Sequence, residues 1–318
     1  MKKLVIGLNL YGHDTGAFTI IENKVYAISE ERFTRIKHDF VFPIESIKWI
    51  LSHINIDSYN KIIFAVATTE FESFKTIETV YSDEILGRLK LSKKLKRQVY
   101  IKDIATGKFE FQKKFNFKYL LNYFKRKLNI SPMISLKEAF LYEIAKFLPE
   151  EKIEISFYDH HLSHAAGAEI FTPYKDAALV TIDGWGDDSS SKLYKANNGK
   201  LKLISKTNTI DSLGYFYGSI TKLLGYKPHR HEGKILGLAA FGNPKKAYSY
   251  ISKMISYDKL KKCFVGNFEK GLYLSKFDNP NLKFLVKKFT PKDIAAAAQK
   301  RIEEIIIEFL KDNIRENS

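Results

Sequence analysis

The sequence is poor in three features that would narrow its class: cysteine, long apolar runs and repeats. Its single cysteine, Cys263, excludes an intrachain disulfide and a metal site built from clustered cysteines. No apolar run reaches the roughly 18 residues that a membrane-spanning helix needs. The apolar run at residues 4–10 resembles a signal peptide, but polar residues follow it and no small-residue cleavage site comes after. We therefore expect a reduced, cytoplasmic protein with no membrane partner.

Acidic residues are scarce in one segment. The 318 residues carry a formal net charge of +16, and residues 88–127 contribute +12 of it through 14 Lys or Arg against two acids. Aromatic side chains are interleaved with these cations, as on surfaces that bind single-stranded nucleic acid. We prefer a solvated helical insert with its aromatics packed inward, because Lys and Phe are abundant along the whole chain. We therefore do not expect a nucleic-acid partner.

The order of predicted elements favours an α/β fold with two lobes. Three strands, a helix and a fourth strand come first, which is the order of an RNase H-like lobe. They are predicted at residues 4–10, 17–21, 25–29, 43–51 and 62–67, and a further strand and helix at 153–158 and 160–170. We place this first lobe at residues 1–175, with a basic helical insert at about 70–150.

The same three-strand pattern recurs in the second half. Its strands are predicted at 177–182, 191–195 and 201–207, with helices at 213–224 and 235–241 and a last helix from Pro291. Two such lobes predict the duplicated RNase H-like architecture of actin-like ATPases. The second lobe, 176–318, is incomplete in this prediction because no strand follows the last helix.

Two segments of the first lobe carry candidate binding residues. Gly12 lies between two predicted strands, where backbone amides can approach a phosphate, and His13 and Asp14 could supply a base and a polar anchor. Arg35 and Lys37, in a densely charged segment, could hold phosphate or carboxylate groups. An ordinary glycine hairpin and a solvated charged loop are the alternatives.

Histidines cluster at the start of the predicted helix at 160–170. Three of the eight histidines lie in five residues, and His160 and His164 share one face of a helix at the spacing of paired metal ligands. The cluster favours a metal or anion site and does not say which. Separately, Asp183, at a predicted strand end, could bind a metal, with an Asp-capped hairpin turn as the alternative.

Glycines mark two further candidate sites for phosphate. Gly184 and Gly186 follow Asp183 in the style of an actin-like phosphate loop, with a hairpin turn as the alternative. Gly233 and Lys234 open a predicted helix whose N-terminus could bind an anion, although the spacing is not that of a P-loop. Close helix packing is the alternative there.

Taken in order, these segments resemble the carbamoyltransferases of the nodulation-factor and aminoglycoside-antibiotic type, whose N-terminal part is similar to the Kae1 family of actin-like folds. The matching motifs are Gly-x-Asn at 7–9, His-Asp at 13–14, Glu-Glu-Arg-Phe-Thr-Arg-x-Lys-His at 30–38, His-His-x-x-His-Ala at 160–165, Asp-Gly-x-Gly-Asp at 183–187, Ser-Leu-Gly-x-x-Tyr at 212–217 and Gly-Lys-x-Leu-Gly-Leu-Ala at 233–239. The sequence departs from the family pattern by Leu236 for Met and Asp187 for Glu. The match covers essentially the whole chain.

This resemblance implies a reaction. Family members use carbamoyl phosphate and ATP to form a carbamoyl-adenylate in a C-terminal YrdC-like domain. They then transfer the carbamoyl group to a hydroxyl of a sugar or metabolite in the Kae1-like domain. The resemblance implies His13 as general base and Lys37 as holding the nucleotide or acyl phosphate. It implies a divalent metal, with iron favoured by the family, on His160, His164 and Asp183. The remaining nucleotide-binding candidates are Gly12, Asp14, Arg35, Gly184, Gly186, Gly233 and Lys234.

One departure concerns the C-terminal side. The family continues with a Gly-Gly-Val-x-Leu-Asn stretch, a further metal-binding Asp and the YrdC-like domain, whereas this sequence contains no Gly-Gly pair. We therefore expect the isolated chain not to complete the reaction. We expect it to be either one half of a split enzyme, which needs a separately encoded C-terminal half or a dimer partner, or a truncated gene product. The alternative is a non-catalytic nucleotide-binding fragment that docks to a partner protein or RNA. An actin-like sugar kinase explains the clustered histidines less well.

Overall fold

The computed structural model describes residues 2–10, 14–39, 41–68, 140–141, 143–267, 271–273, 277 and 279–315. Gly12, His13 and the basic segment 88–127 lie outside them. The described residues form a mixed α/β fold of two compact units, the first ending at His160 and the second beginning at His161. The lobe boundary expected at residue 175 stays a prediction.

The first unit is built on a five-stranded sheet in the order β3-β2-β1-β4-β5. Its strands are β1 (Lys3–Asn9), β2 (Gly16–Ile21), β3 (Lys24–Ser29), β4 (Lys61–Val66) and β5 (Ile153–Phe157). The first three pair antiparallel, whereas β4 pairs parallel with both β1 and β5. The predicted strands of this unit therefore form one mixed sheet.

This unit contains helices α1 (Glu31–Thr34) and α2 (Ile44–Ser52). Apolar residues of α2 at helical spacing, Ile47 and Ile50, are fully buried, and they join a core that includes Phe64 of β4 and Phe140. Packing of this apolar stripe on the sheet fixes the position of α2.

The second unit contains a three-stranded antiparallel sheet and a hairpin. The sheet has the order β6-β7-β8, and the hairpin pairs β9 with β10. These strands are β6 (Asp176–Gly186), β7 (Ser189–Asn197), β8 (Lys200–Asn208), β9 (Ile255–Asp258) and β10 (Cys263–Gly266). The sequence did not predict β9 and β10.

The described residues around these strands form six α-helices. They are α3 (His160–Phe171), α4 (Leu213–Leu223), α5 (Glu232–Ala239), α6 (Pro244–Ile251), α7 (Lys283–Lys288) and α8 (Pro291–Arg315). The first residue of α3 closes the first unit, and the rest of the helix belongs to the second. Among the described helices, none combines the length and the apolar character that crossing a membrane requires.

The long helix α8 anchors the core of the second unit. Small residues near its start, such as Ala295 and Ala298, are fully buried, and Ile305 and Phe309 continue the same face. At the N-terminus of α8, the Oδ1 of Asp293 accepts a hydrogen bond from the backbone N–H of Asn243 at 2.8 Å. This carboxylate therefore ties the start of α8 to the residue that caps α6.

Candidate functional site

Helix α3 and strand β6 carry the three candidate metal ligands. Helix α3 begins at His160, so His160 and His164 lie one turn apart on one helical face. The ligand atoms of these residues and of Asp183 all lie within 4.8 Å of one another. The Nε2 of His164 is 4.0 Å from the Oδ2 of Asp183, and the two side chains are 58% and 42% exposed. The cluster is therefore compact and reachable from solvent.

Asp183 owes its position to a bulge in β6. Ile182 pairs with Ser191, but the next pair joins Gly186 to Ser189, so residues 183–185 of β6 lie opposite a single residue of β7. Extra residues of this kind leave the ladder and redirect their side chains. The prediction that the strand ends at Asp183 was wrong, because β6 continues to Gly186 beyond the bulge.

The N-terminus of α4 packs directly against this bulge. Ser212 caps α4, because its Oγ accepts a hydrogen bond from the N–H of Tyr215 at 3.1 Å, and the same hydroxyl donates to the carbonyl of Asp183 at 3.3 Å. A Cβ on Gly214 would lie 2.6 Å from the Cα of Gly184, so this approach requires glycine. Burial raises the pKa of Tyr215 to about 12, and the negative charge of Asp183 adds to the shift.

The donor set fits a divalent metal. Two imidazole nitrogens and one carboxylate oxygen suit iron, zinc or manganese, and three protein ligands leave positions for substrate or water. Asp183 also accepts a hydrogen bond from the N–H of Gly184 at 2.6 Å through its Oδ1, whereas its Oδ2 is the oxygen near His164. One carboxylate oxygen is thus held by the backbone while the other faces the histidines.

His161 lies between the two candidate ligands in sequence but is buried. Its Nδ1 is 2.8 Å from the Oγ1 of Thr181, and its Nε2 is 3.1 Å from the carbonyl oxygen of Ser189. The sequence analysis gave this residue no role. Its place directly beside a ligand, and so off the ligand face of the helix, was the available signal.

The candidate glycines of the second unit differ in their surroundings. A Cβ on Gly184 or on Gly233 would meet no atom within 4 Å, so there is open space beside both. Gly186 is buried and pairs with Ser189, where it closes the hairpin. Gly233 and Lys234 are exposed in the first turn of α5, as an anion-binding helix start requires.

In the first unit, the charged segment begins with a structural residue. Glu30 is buried, and its carboxylate accepts hydrogen bonds from the N–H groups of Glu45 and Ser46 at 3.1 and 2.8 Å and from the Ser46 hydroxyl at 2.6 Å. These amides belong to the first turn of α2, where backbone donors lack helical partners. Glu30 therefore caps α2, a role that the sequence analysis missed.

The rest of that segment folds against the turn that carries Asp14. The Nδ1 of His38 lies 2.9 Å from the Oδ1 of Asp14, and the N–H of His38 donates to Glu31 at 3.3 Å. Arg35 ends α1 in the left-handed region with a φ of 60°, and both Arg35 and Lys37 are exposed. The structure thus brings Asp14 to the charged loop and leaves both cations on its surface.

Comparison with known proteins identifies the family. The family described as "Carbamoyltransferase N-terminus" matches residues 4–318. The chain belongs to this family.

Three curated relatives place this carbamoyltransferase N-terminal chain among longer proteins. It is 28% identical to an uncharacterised protein of Methanocaldococcus jannaschii over 96% of the chain and 53% of the relative. It is 26% identical to an uncharacterised protein of Synechocystis over 76% of the chain and 35% of that protein. It is also 26% identical to the nodulation protein NolNO of Sinorhizobium fredii, over 95% of the chain and 38% of NolNO. The chain spans about half the length of these relatives or less.

Proposed function

We propose that this chain is the N-terminal module of an ATP-dependent O-carbamoyltransferase. In this proposal a carbamoyl group passes from carbamoyl phosphate, through carbamoyl-adenylate, to a hydroxyl of a sugar or metabolite. The observation that carries the proposal is the compact cluster of His160, His164 and Asp183 in a member of the carbamoyltransferase N-terminal family. The alternative of a purely nucleotide-binding fragment leaves the pair of His160 and His164 without a use.

His160, His164 and Asp183 would hold a divalent metal, for which we propose iron. A bound metal ion of this kind offsets negative charge on phosphate oxygens. The partial exposure of His164 and Asp183 supports a site that substrate can reach. The open space beside Gly184 supports backbone contact with a nucleotide next to the ligands, and we assign Gly186, Gly233 and Lys234 to the same nucleotide.

The transfer step needs a general base and residues that bind the phosphate. We assign the base to His13, which takes the proton as the acceptor hydroxyl attacks the carbamoyl carbon. A carbon–oxygen bond to the acceptor forms, the bond to the adenylate phosphate breaks, and AMP leaves. Lys37 and Arg35, exposed in one loop, would offset the phosphate charge, and we assign Gly12 and Asp14 to binding of the same phosphate.

We also propose that the two units contain duplicated RNase H-like lobes of the actin type. Support comes from the strand order. In the first unit three antiparallel strands precede parallel β4 and β5, and the second unit opens with three antiparallel strands of the same connectivity. We propose that a YrdC-like part makes the carbamoyl-adenylate, and the length of the relatives, about twice that of this chain or more, supports a second part of this kind. We expect this chemistry in the cytoplasm.

The proposal is tested by following radiolabelled carbamoyl phosphate. The chain is incubated with ATP, iron(II), a panel of sugars and metabolites, and the C-terminal part of a longer relative. We expect label on an acceptor only when both polypeptides are present. Turnover by the chain alone would contradict the need for a second part, and no labelled acceptor under any condition would contradict the transferase assignment.

Variants separate the site from general effects. H164A and D183N are expected to abolish labelling, because each removes one candidate ligand. H53A is the matched control, since His53 is an exposed histidine at the end of α2 in the first unit. Equal losses in H53A and H164A would contradict a specific role for the cluster.

A further inference from the structure

The second histidine of the His-His-x-x-His motif is fully buried and uses both ring nitrogens. Ser189 offers His161 a carbonyl oxygen, which can only accept, so the Nε2 of His161 carries a proton and donates it at 3.1 Å. The Nδ1 is hydrogen-bonded to the Oγ1 of Thr181 at 2.8 Å. The two contacts fix both the position and the tilt of the ring.

The two partners of His161 stand on either side of the Asp183 bulge. Thr181 lies on β6 two residues before Asp183, and Ser189 is the first residue of β7, paired with Gly186 just after the bulge. A single imidazole therefore connects the helix that carries two candidate ligands to both flanks of the segment that carries the third.

His161 is one of the two buried residues of helix α3. Of its twelve residues, all described, only His161 and Ala165 are buried. An alanine packs without directing the helix about its axis, whereas two hydrogen bonds from a planar ring do. The two hydrogen bonds of His161 therefore help to set the rotation of α3, and with it the direction of His160 and His164.

We propose that His161 is a positioning residue for the metal centre. It holds the ligand face of α3 at the distance from Asp183 that lets the three ligands bind one ion, and the inference rests on the metal site proposed above. Metal–ligand distances tolerate only about 0.2 Å of error. A small rotation of α3 would therefore cost affinity without unfolding the unit.

An ordinary buried histidine that only stabilises the core is the competing explanation. The two explanations predict different effects of substituting His161 on stability and on metal affinity. A purely stabilising residue affects the melting temperature of the metal-free chain and leaves the affinity of the folded chain for metal unchanged. A positioning residue changes that affinity.

The test is a titration of the full chain with Co²⁺, followed by its visible absorption, together with thermal melting of the metal-free protein. Removal of a group that is hydrogen-bonded to a metal ligand typically weakens metal binding by about 10- to 100-fold. His161 acts on the ligands through the helix and the strands, so we expect a loss at the lower end of this range, about tenfold, for H161L. H161Q, whose amide can donate to the Ser189 carbonyl, should recover most of the affinity. H164A removes a ligand and should lose the absorption altogether.

Thr181 supplies a second, milder pair of variants. T181V removes the partner of Nδ1 while T181S keeps a hydroxyl, so T181V should weaken Co²⁺ binding by several-fold and T181S should not. This pair decides the matter if H161L does not fold.

The outcomes separate the two proposals. Wild-type chain that binds no Co²⁺ would overturn the metal site, and the positioning role with it. Two results would overturn the positioning role alone. One is a folded H161L that binds Co²⁺ as tightly as the wild type does. The other is equal Co²⁺ affinity in T181V and T181S.

Discussion

The contact between α4 and the Asp183 bulge leaves no room for a side chain on Gly214. A Cβ there would lie 2.6 Å from the Cα and 2.9 Å from the N of Gly184, and 3.3 Å from the carbonyl carbon of Asp183. Carbon atoms in contact prefer about 3.5–4.0 Å. All three neighbours are backbone atoms, which cannot rotate away as a side chain does. G214A must therefore push the start of α4 away from the bulge by about 1 Å.

Two opposing effects determine how much G214A lowers the free energy of unfolding. Overpacking of this kind costs about 1–3 kcal/mol in the free energy of unfolding. Replacing glycine by alanine within a helix returns up to about 1 kcal/mol. Since the clash is with backbone, we expect a net destabilisation of about 1–2 kcal/mol for G214A. Gly237 in α5 is the matched control, because a Cβ there would meet no atom within 4 Å. G237A should therefore stabilise the protein by about 0.5–1 kcal/mol.

Urea denaturation measures both variants. The two tryptophans, Trp49 and Trp185, lie in different units, so their fluorescence reports on both. The expected result is a lower urea midpoint for G214A and a higher one for G237A, each at an unchanged slope. A midpoint for G214A at or above that of the wild type would refute the packing that we describe between α4 and the bulge.

Two further predictions concern buried carboxylates. E30A should lose about 2–4 kcal/mol in the free energy of unfolding, because the amides of Glu45 and Ser46 lose a charged acceptor. E30Q keeps one acceptor oxygen and should lose less. Urea midpoints compare the variants, and equal midpoints for E30A and wild type would exclude the capping role. Hydrogen bonds, above all from the N–H of Asn243, lower the pKa of Asp293 from 3.8 to about 2, so its stabilisation is present above that ordinary value and is lost as the pH falls towards 2. The stability difference between wild type and D293N should therefore shrink on acidification from pH 5 to pH 3 in urea titrations, and a difference that stays constant would contradict the assignment.

Most of the secondary structure follows from local signals. The hairpin between β2 and β3 turns at Glu22 and Asn23, both with positive φ, and the helix predicted from Pro291 begins there. These signals need no knowledge of the partner strand or helix. The hairpin of β9 and β10 was missed because its four-residue strands, Ile-Ser-Tyr-Asp and Cys-Phe-Val-Gly, are too short for a clear alternation.

In the candidate site, too, some features follow from local sequence and others only from contacts made after folding. Helical spacing alone pairs His160 with His164, whereas the approach of Asp183 came from the family resemblance and from no rule of spacing. The bulge that places Asp183 is a property of the register between β6 and β7, which a single strand does not encode. The roles of Glu30 and His161 depend on which elements they meet after folding, and their residue types alone do not reveal these partners.

The site has a further property in the order of the chain. The candidate ligands, His161 and its two partners all fall between His160 and Ser189, in one helix and two consecutive strands. Contacts of short sequence separation carry a small loop-closure entropy and form early in folding. The candidate metal centre thus lies within thirty consecutive residues, and the contacts that α4 makes with the bulge through Ser212 and Gly214 are the more distant ones in sequence.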